Sequence, residues 1–401
     1  MALRFKLFIV CFIYISVSVS QRINIGIYSE SNVKTFVFTP VKGNYEFTGD
    51  NSVKNIILQN DVIYIALLGD SVNIKSLDKN FGNFGDVYFI GENNSCSFKI
   101  KPVFPDINTR EYENDLRVTI LYKKLLLVNH VELENYIAGV VESEGGSKAH
   151  NEYYKSQAII CRTYALSNFD RHVSEGFNLC DGVHCQAYKS KCHKNPEIYS
   201  STISTKGLII VDTTLNLITA AFHSNCGGMT ANCEDVWLKH LSYLRSVRDP
   251  YCTGSFNATW QKTITADQWK VYLKKSNLTV TEPAKASDFN FYQEIRKANY
   301  EYNGQTIPLK RIRTDWGLKS TYFTLTAEGN NLIMKGRGYG HGTGLCQEGA
   351  MKMAESGITY DKIIKFYYTN TYTISLRALE FFKEPVQINT FPTDSTKINI
   401  N

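Results

Sequence analysis

The sequence predicts an α+β protein in which a small N-terminal β domain precedes a larger mixed domain whose helices carry the chemical motifs. Three observations predict this class. Short runs of β-branched and aromatic residues, separated by turn sequences, occupy the first hundred residues. From Leu133 onward the hydrophobic residues change to helical spacing. With 401 residues, the chain has enough material for two or three domains with buried cores.

The β-rich domain is predicted over residues 21–110. Turn sequences such as Lys42-Gly43-Asn44 and Gly82-Asn83-Phe84-Gly85 separate its strands. The charged, proline-containing stretch from Phe104 to Asn114 is the expected boundary. The expected strands are Arg22–Tyr28, Val33–Phe38, Tyr45–Phe47, Val62–Leu68, Val87–Ile90 and Ser97–Ile100.

The second domain is predicted over residues 111–380. A helix with an apolar face begins at Leu133, and Gly145-Gly146 ends it. Further helices are expected over residues 152–170, 347–357 and 361–368, and strands 208–211 and 216–223 are expected to pair. Residues 381–401, rich in Thr, Asn and Pro, are interpreted as a flexible tail.

Residues 1–20 have the features of a secretory signal peptide. Arg4 and Lys6 precede an apolar run from Leu7 to Ile15, and Ser18-Val19-Ser20 supplies the small residues of a cleavage site. No later stretch is long enough to cross a membrane as a helix. The mature chain is therefore expected outside the cytoplasm, with an uncleaved anchor as the alternative.

Charge and cysteine content narrow the function classes only slightly. The net charge of +6 is compatible with an acidic cell-surface polymer, and no basic run or stacking platform indicates nucleic acid. Of ten cysteines, Cys11 lies in the signal segment, which leaves nine. Because nine is odd, at least one thiol is free, metal-bound or paired between molecules.

Glu144 is the most informative acid. It continues the apolar face of the predicted helix, so its carboxyl is expected to be partly desolvated, and it lies in the last turn, where the helix dipole disfavours an anion. Both effects raise the pKa, as a general acid for a glycosidic oxygen requires. The alternative is a solvent-exposed glutamate at a frayed helix end.

The next helix carries polar groups in an otherwise buried pattern. Gln157, Cys161 and Tyr164 share one face by their spacing, and Arg162 follows closely. Buried Gln and Arg side chains must be hydrogen-bonded. These residues either order the core or line a cleft, and the pattern favours neither.

His172, Cys180, His184 and Cys185 are a candidate metal site. Two thiolates and two imidazoles are the ligand set of a closed tetrahedral zinc site, although this spacing is irregular. A disulfide, Cys180–Cys185 or Cys185–Cys192, is the competing reading for a secreted chain.

A glycine-rich segment near the C-terminus has the composition of a substrate loop. Six glycines fall between Gly336 and Ala350, interrupted by Arg337, Tyr339, His341 and Gln347. Glycine lets the backbone approach a ligand or another segment closely. Upstream, His223 and Ser224 are adjacent on a predicted strand and point to opposite faces, which argues against a nucleophile–base pair. Nearby, Cys226, Cys233 and Cys252 are expected to form one disulfide, with Cys226–Cys252 as the favoured pairing.

Together these segments resemble the stage II sporulation protein D family, which includes the LytB-like amidase enhancers. The resemblance covers roughly residues 115–375. Its motifs, in family order, are Leu133-Glu134-Asn135-Tyr136 through Glu144, Gln157-Ala158 through Arg162-Thr163-Tyr164-Ala165, His184-Cys185-Gln186-Ala187-Tyr188, Phe222-His223-Ser224-Asn225-Cys226-Gly227-Gly228, Tyr243-Leu244-Arg245-Ser246-Val247, and Gly340-His341-Gly342 with Gln347.

The resemblance implies a lytic transglycosylase that cleaves the β-1,4 bond between N-acetylmuramic acid and N-acetylglucosamine in glycan strands stripped of peptides. It makes Glu144 the catalytic acid. It extends a family zinc site to His184 and Cys185, with Cys180 and His172 completing a structural set. The substrate-binding residues it implies are Gln157, Arg162, Tyr164, Gln186, Tyr188, His223, Ser224, Gly340, His341, Gly342 and Gln347. A single groove lined by both Glu144 and His341 is the structural test of this hypothesis.

Two alternatives remain at this point. One is a non-catalytic wall-binding protein that enhances a partner amidase, as the LytB-like members imply. The other is a zinc-dependent hydrolase, although four protein ligands leave a metal no open position. The chain also departs from the family pattern: Gly145-Gly146 follows Glu144 where a bulky residue is usual, and Cys346 stands where serine is common.

Overall fold

The computed structural model describes residues 21–50, 54–237 and 239–383. It confirms the α+β class. The predicted signal peptide and residues 384–401 of the predicted tail lie outside the described residues. Contacts divide the chain into two compact units that meet in sequence at Tyr136 and Ile137. The domain boundaries expected at residues 110 and 380 stay predictions.

The N-terminal unit is built from antiparallel strands in two sheets. One sheet has the order β1-β12-β11-β8-β3-β4, and the other has the order β10-β9-β2-β5-β6-β7. The strands are β1 (Arg22–Ile27), β2 (Thr35–Lys42), β3 (Tyr45–Thr48), β4 (Lys54–Ile57), β5 (Ile63–Leu68), β6 (Ser71–Lys75), β7 (Asn80–Phe84), β8 (Asp86–Gly91), β9 (Ser97–Phe104), β10 (Arg110–Glu113), β11 (Asp115–Leu121) and β12 (Lys124–Glu132).

An aromatic core joins these two sheets. Alternate residues of β2 are buried, as the two-residue period of a strand requires. Phe38 of β2 stacks on Phe89 of β8 with ring centroids 4.5 Å apart, and Tyr45 of β3 meets Phe38 edge-on. Such aromatic contacts add to the hydrophobic stabilisation of a core.

The C-terminal unit contains most of the helices. They are α1 (Leu133–Gly145, which begins at the end of the first unit), α2 (Asn151–Ser167), α3 (Pro196–Ser204), α4 (Cys233–Trp237), α5 (Ala266–Lys275), α6 (Leu309–Trp316), α7 (Gln347–Glu355), α8 (Tyr360–Tyr367) and α9 (Leu376–Lys383). Its strands are β13 (Leu179–Cys180), β14 (Leu208–Asp212), β15 (Phe222–His223), β16 (Thr259–Thr265), β17 (Asn299–Tyr302), β18 (Gln305–Pro308), β19 (Phe323–Glu328), β20 (Asn331–Arg337), β21 (Leu345–Cys346) and β22 (Thr371–Ser375).

Helix α2 is the centre of this unit. Most of its side chains are buried, and it packs against α3, α7, α8 and β14. The antiparallel pair β14–β22 and the parallel pair β15–β21 lie in the same unit. A separate core around Trp269 joins α5 to the sheet β16-β20-β19. These elements bring the motifs of α1, α2, β15 and β21 together.

The expected helices agree closely with the observed ones, but one expected strand pairing is confirmed only in part. β14 pairs along its whole length with β22. Residues 216–223 meet β14 at the single antiparallel bridge Val211–Leu217 and otherwise form the short strand β15. Among the described residues, none of the helices has the length and apolarity needed to cross a membrane.

Candidate functional site

A cleft of about 540 Å³ in the C-terminal unit collects side chains from distant parts of the sequence. Glu144 lies at its α1 side, and Trp237 and His341 lie among the residues that line it. Tyr164, Arg171 and His184 contribute polar atoms to the same cleft. Glu144 and His341 therefore line one groove, as the sequence hypothesis required.

Glu144 is positioned by the segment that follows the cysteine–histidine motif. The backbone N–H of Ala187 donates to Glu144 Oε1 at 2.7 Å, and the N–H of Lys189 donates to Ser143 Oγ at 3.1 Å. Burial raises the pKa of Glu144, although the Ala187 hydrogen bond and the charge of Lys189 act in the opposite direction. The carboxyl is thus half-buried, fixed in direction and biased toward its protonated form.

Close packing holds this segment against α1. A Cβ atom at Gly139 would lie 2.5 Å from Tyr188 Cε2 and 2.6 Å from the Ser190 carbonyl oxygen. Only glycine permits that approach, so the glycine of the α1 motif and the completely buried Tyr188 form one contact. The contact places Ala187 beside the Glu144 carboxyl.

Among the polar residues of α2, Tyr164 lines the cleft. Its hydroxyl accepts a hydrogen bond from Arg171 Nη1 at 2.7 Å. Gln157 and Arg162 are completely buried. The guanidinium of Arg162 donates to the carbonyls of Leu208 and Thr202 at 3.0 and 3.3 Å, so it joins α2 to β14 and α3.

Gln157 and Gln186 lie under the cleft next to Cys161. Gln157 Nε2 donates to Cys161 Sγ at 3.4 Å, and its Oε1 has no hydrogen-bond partner among the described residues. Burial, together with the nearby Glu144 charge, raises the pKa of Cys161 far above that of an ordinary thiol. Cys161 is therefore a small core residue and not a nucleophile.

His172, Cys180, His184 and Cys185 come together as a cysteine–histidine cluster. Their candidate ligand atoms all lie within 4.8 Å of one another. Cys185 Sγ is 3.5 Å from His172 Nε2, and His184 Nδ1 is 3.8 Å from both sulfurs. Cys180, Cys185 and Cys192 carry no disulfide in the described residues, so both pairings of the competing interpretation, Cys180–Cys185 and Cys185–Cys192, are wrong. The expected Cys226–Cys252 disulfide is not formed either.

Residues 219–222, which lead into β15, and His341, which precedes β21, also line the cleft. His341 Nδ1 accepts from the Thr343 N–H at 3.1 Å, and the ring is also hydrogen-bonded to the backbone of Phe222. Burial lowers the pKa of His341 to about 4, so the ring is neutral at cellular pH. His223 is buried behind it, with ring centroids 5.4 Å apart.

The glycine loop, residues 336–344, packs against the segment that follows β15. Gly338, Gly340, Gly342 and Gly344 all have positive φ angles. A Cβ atom at Gly340 would lie 2.8 Å from His223 Cβ, and one at Gly342 would lie 2.9 Å from Arg296 Nη1. The alternating glycines thus serve close packing within the protein, and His341 points out between them into the cleft.

Ser224 and Gln347 lie next to the cleft without lining it. Ser224 Oγ is 3.5 Å from Glu348 Oε1 and accepts from Asn257 Nδ2 at 3.3 Å, so it belongs to a polar network. No histidine of the described residues is hydrogen-bonded to it. Gln347 Nε2 donates to the Glu144 carbonyl oxygen at 3.2 Å. Gln347 therefore connects the start of α7 to the end of α1.

Sequence reasoning missed several residues of the cleft. Arg171 and Trp237 line it, and Lys189 acts on Glu144 from just beyond the motif. Trp237 is exposed, with its ring centroid 5.0 Å from that of His341. The signal that the sequence did contain is a tryptophan close behind an acidic pair, in Glu234-Asp235-Val236-Trp237, because charged neighbours are typical of surface segments.

Comparisons with known proteins match these same regions. A family model described as stage II sporulation protein matches residues 122–211, which include α1, α2 and the cysteine–histidine cluster. The chain is 31% identical over 259 residues to stage II sporulation protein D of Bacillus subtilis (strain 168). The aligned region covers 61% of this chain and 75% of that protein.

Two further relatives are more distant. An uncharacterised protein of Brachyspira hyodysenteriae (strain ATCC 49526 / WA1) is 26% identical over 266 residues, covering 65% of this chain and 72% of the relative. The amidase enhancer of Bacillus subtilis (strain 168) is 27% identical over 289 residues, covering 59% of this chain and 40% of the relative.

Proposed function

Because the chain belongs to the stage II sporulation protein D family, we propose that it acts on the cell wall as a lytic transglycosylase. The proposed reaction cleaves the bond between N-acetylmuramic acid and N-acetylglucosamine in glycan strands without stem peptides. One observation carries the proposal: a half-buried carboxyl with a raised pKa, Glu144, faces an open cleft.

The chemistry needs only one carboxyl. Protonated Glu144 donates its proton to the glycosidic oxygen as the bond from that oxygen to the muramyl C1 breaks. The muramyl 6-hydroxyl then attacks C1 and closes a 1,6-anhydro ring, and the Glu144 carboxylate takes the hydroxyl proton. The proton returns to its starting atom and no water is consumed. Hydrolytic glycosidases, in contrast, use a second carboxyl.

Neighbouring groups support this double role of Glu144. The Ala187 N–H holds one carboxyl oxygen, which leaves the other free to face the glycosidic oxygen. Tyr164 and His341 are proposed as direct sugar contacts, because both line the cleft. The exposed face of Trp237 offers an apolar platform for a sugar ring.

The remaining residues implied by the family resemblance are proposed to position the site rather than to touch sugar. They are buried or packed behind the cleft, and their hydrogen bonds run to other parts of the protein. They are Gln157, Arg162, Gln186, Tyr188, His223, Ser224, Gly340, Gly342 and Gln347.

We propose a structural zinc ion at the cysteine–histidine cluster. His172 Nδ1 is hydrogen-bonded to Glu175 Oε1 at 2.5 Å, which directs Nε2 toward Cys185. A carboxylate behind a ligating histidine is the usual support of a zinc ligand. Four protein ligands close the coordination sphere, so the ion would fix the segment that leads to Ala187 and would take no part in proton transfer.

An assay on isolated glycan strands tests the enzymatic proposal. Purified protein is incubated with peptide-free glycan, and products are examined by mass spectrometry for 1,6-anhydromuramyl ends. Glu144→Gln is expected to lower the rate by about 10²-fold or more, the usual contribution of a general acid–base. Glu355→Gln is the matched control, because Glu355 is an exposed helix residue paired with Lys352.

Absence of anhydro ends from the wild type, or an unchanged yield from Glu144→Gln, would refute the enzymatic proposal. The alternative rests on the relative named amidase enhancer. It predicts that wild type and Glu144→Gln stimulate a peptidoglycan amidase equally while neither makes anhydro products. Location outside the cytoplasm is part of either proposal and is tested by fractionation of expressing cells.

A further inference from the structure

A second set of metal-ligand side chains lies in the C-terminal unit, outside the cleft. Cys226, Asp249, Cys252 and Cys346 are all completely buried, and one candidate ligand atom from each lies within 4.8 Å of all the others. Cys226 follows β15, Asp249 caps the short 3₁₀ turn Pro250–Cys252 that ends in Cys252, and Cys346 caps α7. We call these four residues the buried cysteine cluster.

The spacing of the buried cysteine cluster is close to that of a tetrahedral zinc site. Zn–S bonds of about 2.3 Å and Zn–O bonds of about 2.0 Å imply separations of about 3.5 to 3.8 Å between ligand atoms. Cys226 Sγ is 3.3 Å from Cys252 Sγ and 3.2 Å from Asp249 Oδ2. Small side-chain rotations would therefore open a central position for an ion.

Backbone groups already point at the sulfurs, as they do in metal–thiolate sites. The N–H groups of Cys226 and Gly349 point at Cys346 Sγ, with donor–acceptor distances of 3.2 and 3.4 Å, and the N–H of Gly228 points at Cys252 Sγ at 3.4 Å. Hydrogen bonds to sulfur stabilise thiolates and fix their direction. Such bonds fix the direction of two different cysteine sulfurs and would stabilise them as thiolates around a bound ion.

Asp249 is also held in a position to act as a ligand. Its Oδ1 accepts from the Tyr251 N–H at 2.9 Å, and its Oδ2 accepts from the Tyr367 hydroxyl at 2.9 Å. The guanidinium of Arg296 donates to the Cys226 carbonyl at 2.7 Å and lies close enough to interact electrostatically with Cys226 and Cys346. This positive charge would offset part of the excess negative charge of three thiolates and one carboxylate.

A disulfide explains less of this arrangement. A Cys226–Cys252 bond would use two of the three sulfurs and leave the Cys346 thiol and the Asp249 carboxyl buried against it. Burying a carboxylate without a charged partner is costly. A metal ion would engage all four groups at once.

We propose that the buried cysteine cluster binds a second structural zinc ion, through three cysteine sulfurs and the Asp249 carboxylate. Thiolate-rich tetrahedral sites favour zinc. The ion would join the segment after His223 to the start of α7, and so would hold β15 and β21 together behind His341. The proposal does not depend on the reaction proposed for the cleft.

Metal content of the intact protein provides the first test. The protein is purified without chelators, and its zinc content is measured by elemental mass spectrometry. Two zinc ions per chain are expected, one at each cluster. Cys346→Ser and Asp249→Asn should each remove one of the two ions, Cys180→Ser should remove the other, and Cys233→Ser, a buried cysteine outside both clusters, should remove neither.

A second measurement covers the case in which the variants do not fold. Wild-type protein is unfolded in an alkylating agent without reductant, and its peptides are analysed for Cys226–Cys252 linkage. The proposal is supported if Cys226, Cys252 and Cys346 are all found alkylated and the protein contains two zinc ions per chain. One zinc ion that Cys346→Ser leaves unchanged, or an intact Cys226–Cys252 disulfide, would overturn it.

Discussion

At the scale of single residues, Glu144 is shaped by opposing forces. Burial raises its pKa, whereas the Ala187 N–H and the positive charge of Lys189 stabilise the carboxylate. An acid that must donate a proton and then accept one needs both forms to be accessible, and these opposing contributions act on the two forms in opposite directions. The balance can be shifted from either side by substitution.

Removing the charge of Lys189 is expected to move the pH dependence of the reaction. The rate should be constant below the pKa of Glu144 and fall as the pH rises through it, because only the protonated acid can start the reaction. Lys189→Met raises that pKa further, so the alkaline limb of kcat/KM should move to higher pH. Lys352→Met, at the exposed pair with Glu355, should leave the limb in place. If the alkaline limb of kcat/KM stays at the same pH in Lys189→Met, the titration of Glu144 does not cause that limb.

The charged form of Glu144 is also expected to lower the free energy of unfolding at neutral pH. Its folded pKa is raised above the unfolded value, so the favourable contribution of the protonated form is complete at low pH and is lost as pH rises through the folded pKa. Glu144→Gln keeps an oxygen for the Ala187 N–H and removes the charge. The thermal midpoint of the variant should exceed that of the wild type at pH 8 and match it at pH 4. A variant less stable at pH 8 would contradict this account of the site.

At the scale of elements, the end of α1 is positioned by the chain that crosses it. Gly139 lets Tyr188 and Ser190 lie directly on the helix, and the Ala187 and Lys189 N–H groups then reach Glu144 and Ser143. The glycine therefore serves the packing of two elements rather than the helix itself. Helix propensity and packing make opposite predictions for its replacement.

Gly139→Ala is expected to destabilise the protein despite the better helix propensity of alanine. The propensity gain is about 1 kcal/mol, whereas overpacking typically costs about 1–3 kcal/mol. Because the displaced segment carries Ala187, activity on glycan should fall as well. Gly254→Ala is the control, since a Cβ atom there meets no atom within 4 Å. Chemical denaturation of both variants measures the difference, and a stabilised Gly139→Ala would show that the contact is loose.

The sequence predicted local features better than distant ones. The helical period from Leu133 and the glycine pair after Glu144 located α1, and the short spacing of His172 to Cys185 located the cysteine–histidine cluster. The β14–β22 pairing joins segments far apart in sequence, and no turn signal indicates such a partner. For the same reason Asp249 and Cys346 could not be placed beside Cys226, where a disulfide with Cys252 was expected.

Residues of the same type within the family motifs have different roles in the structure. His341 and His223 both belong to the family pattern, but only His341 lines the cleft, because β15 turns His223 into the core. Arg162 is of a residue type that often binds substrate, yet its guanidinium donates hydrogen bonds to backbone carbonyls inside the protein. Side-chain direction depends on the packing of several elements, which a single sequence does not display.

At the scale of the whole molecule, the cleft is formed by segments distant in sequence. The two proposed metal sites would fix the segments that carry Glu144 and His341. The cysteine–histidine cluster lies beside Glu144, since Cys185 is two residues before Ala187, and the buried cysteine cluster lies behind His341. Neither set of four leaves an open coordination position. The proposed ions therefore act on catalysis through structure alone.

Removing metal from the intact protein should separate this view from a zinc-dependent reaction. A chelator is expected to lower the thermal midpoint of unfolding and the rate on glycan together, because the support of Ala187 and of His341 is lost at the same time. Cadmium, which also prefers thiolate ligands, should restore both without supplying zinc chemistry. Loss of activity at an unchanged thermal midpoint, regained with zinc but not with cadmium, would instead mark the metal as part of the catalytic centre.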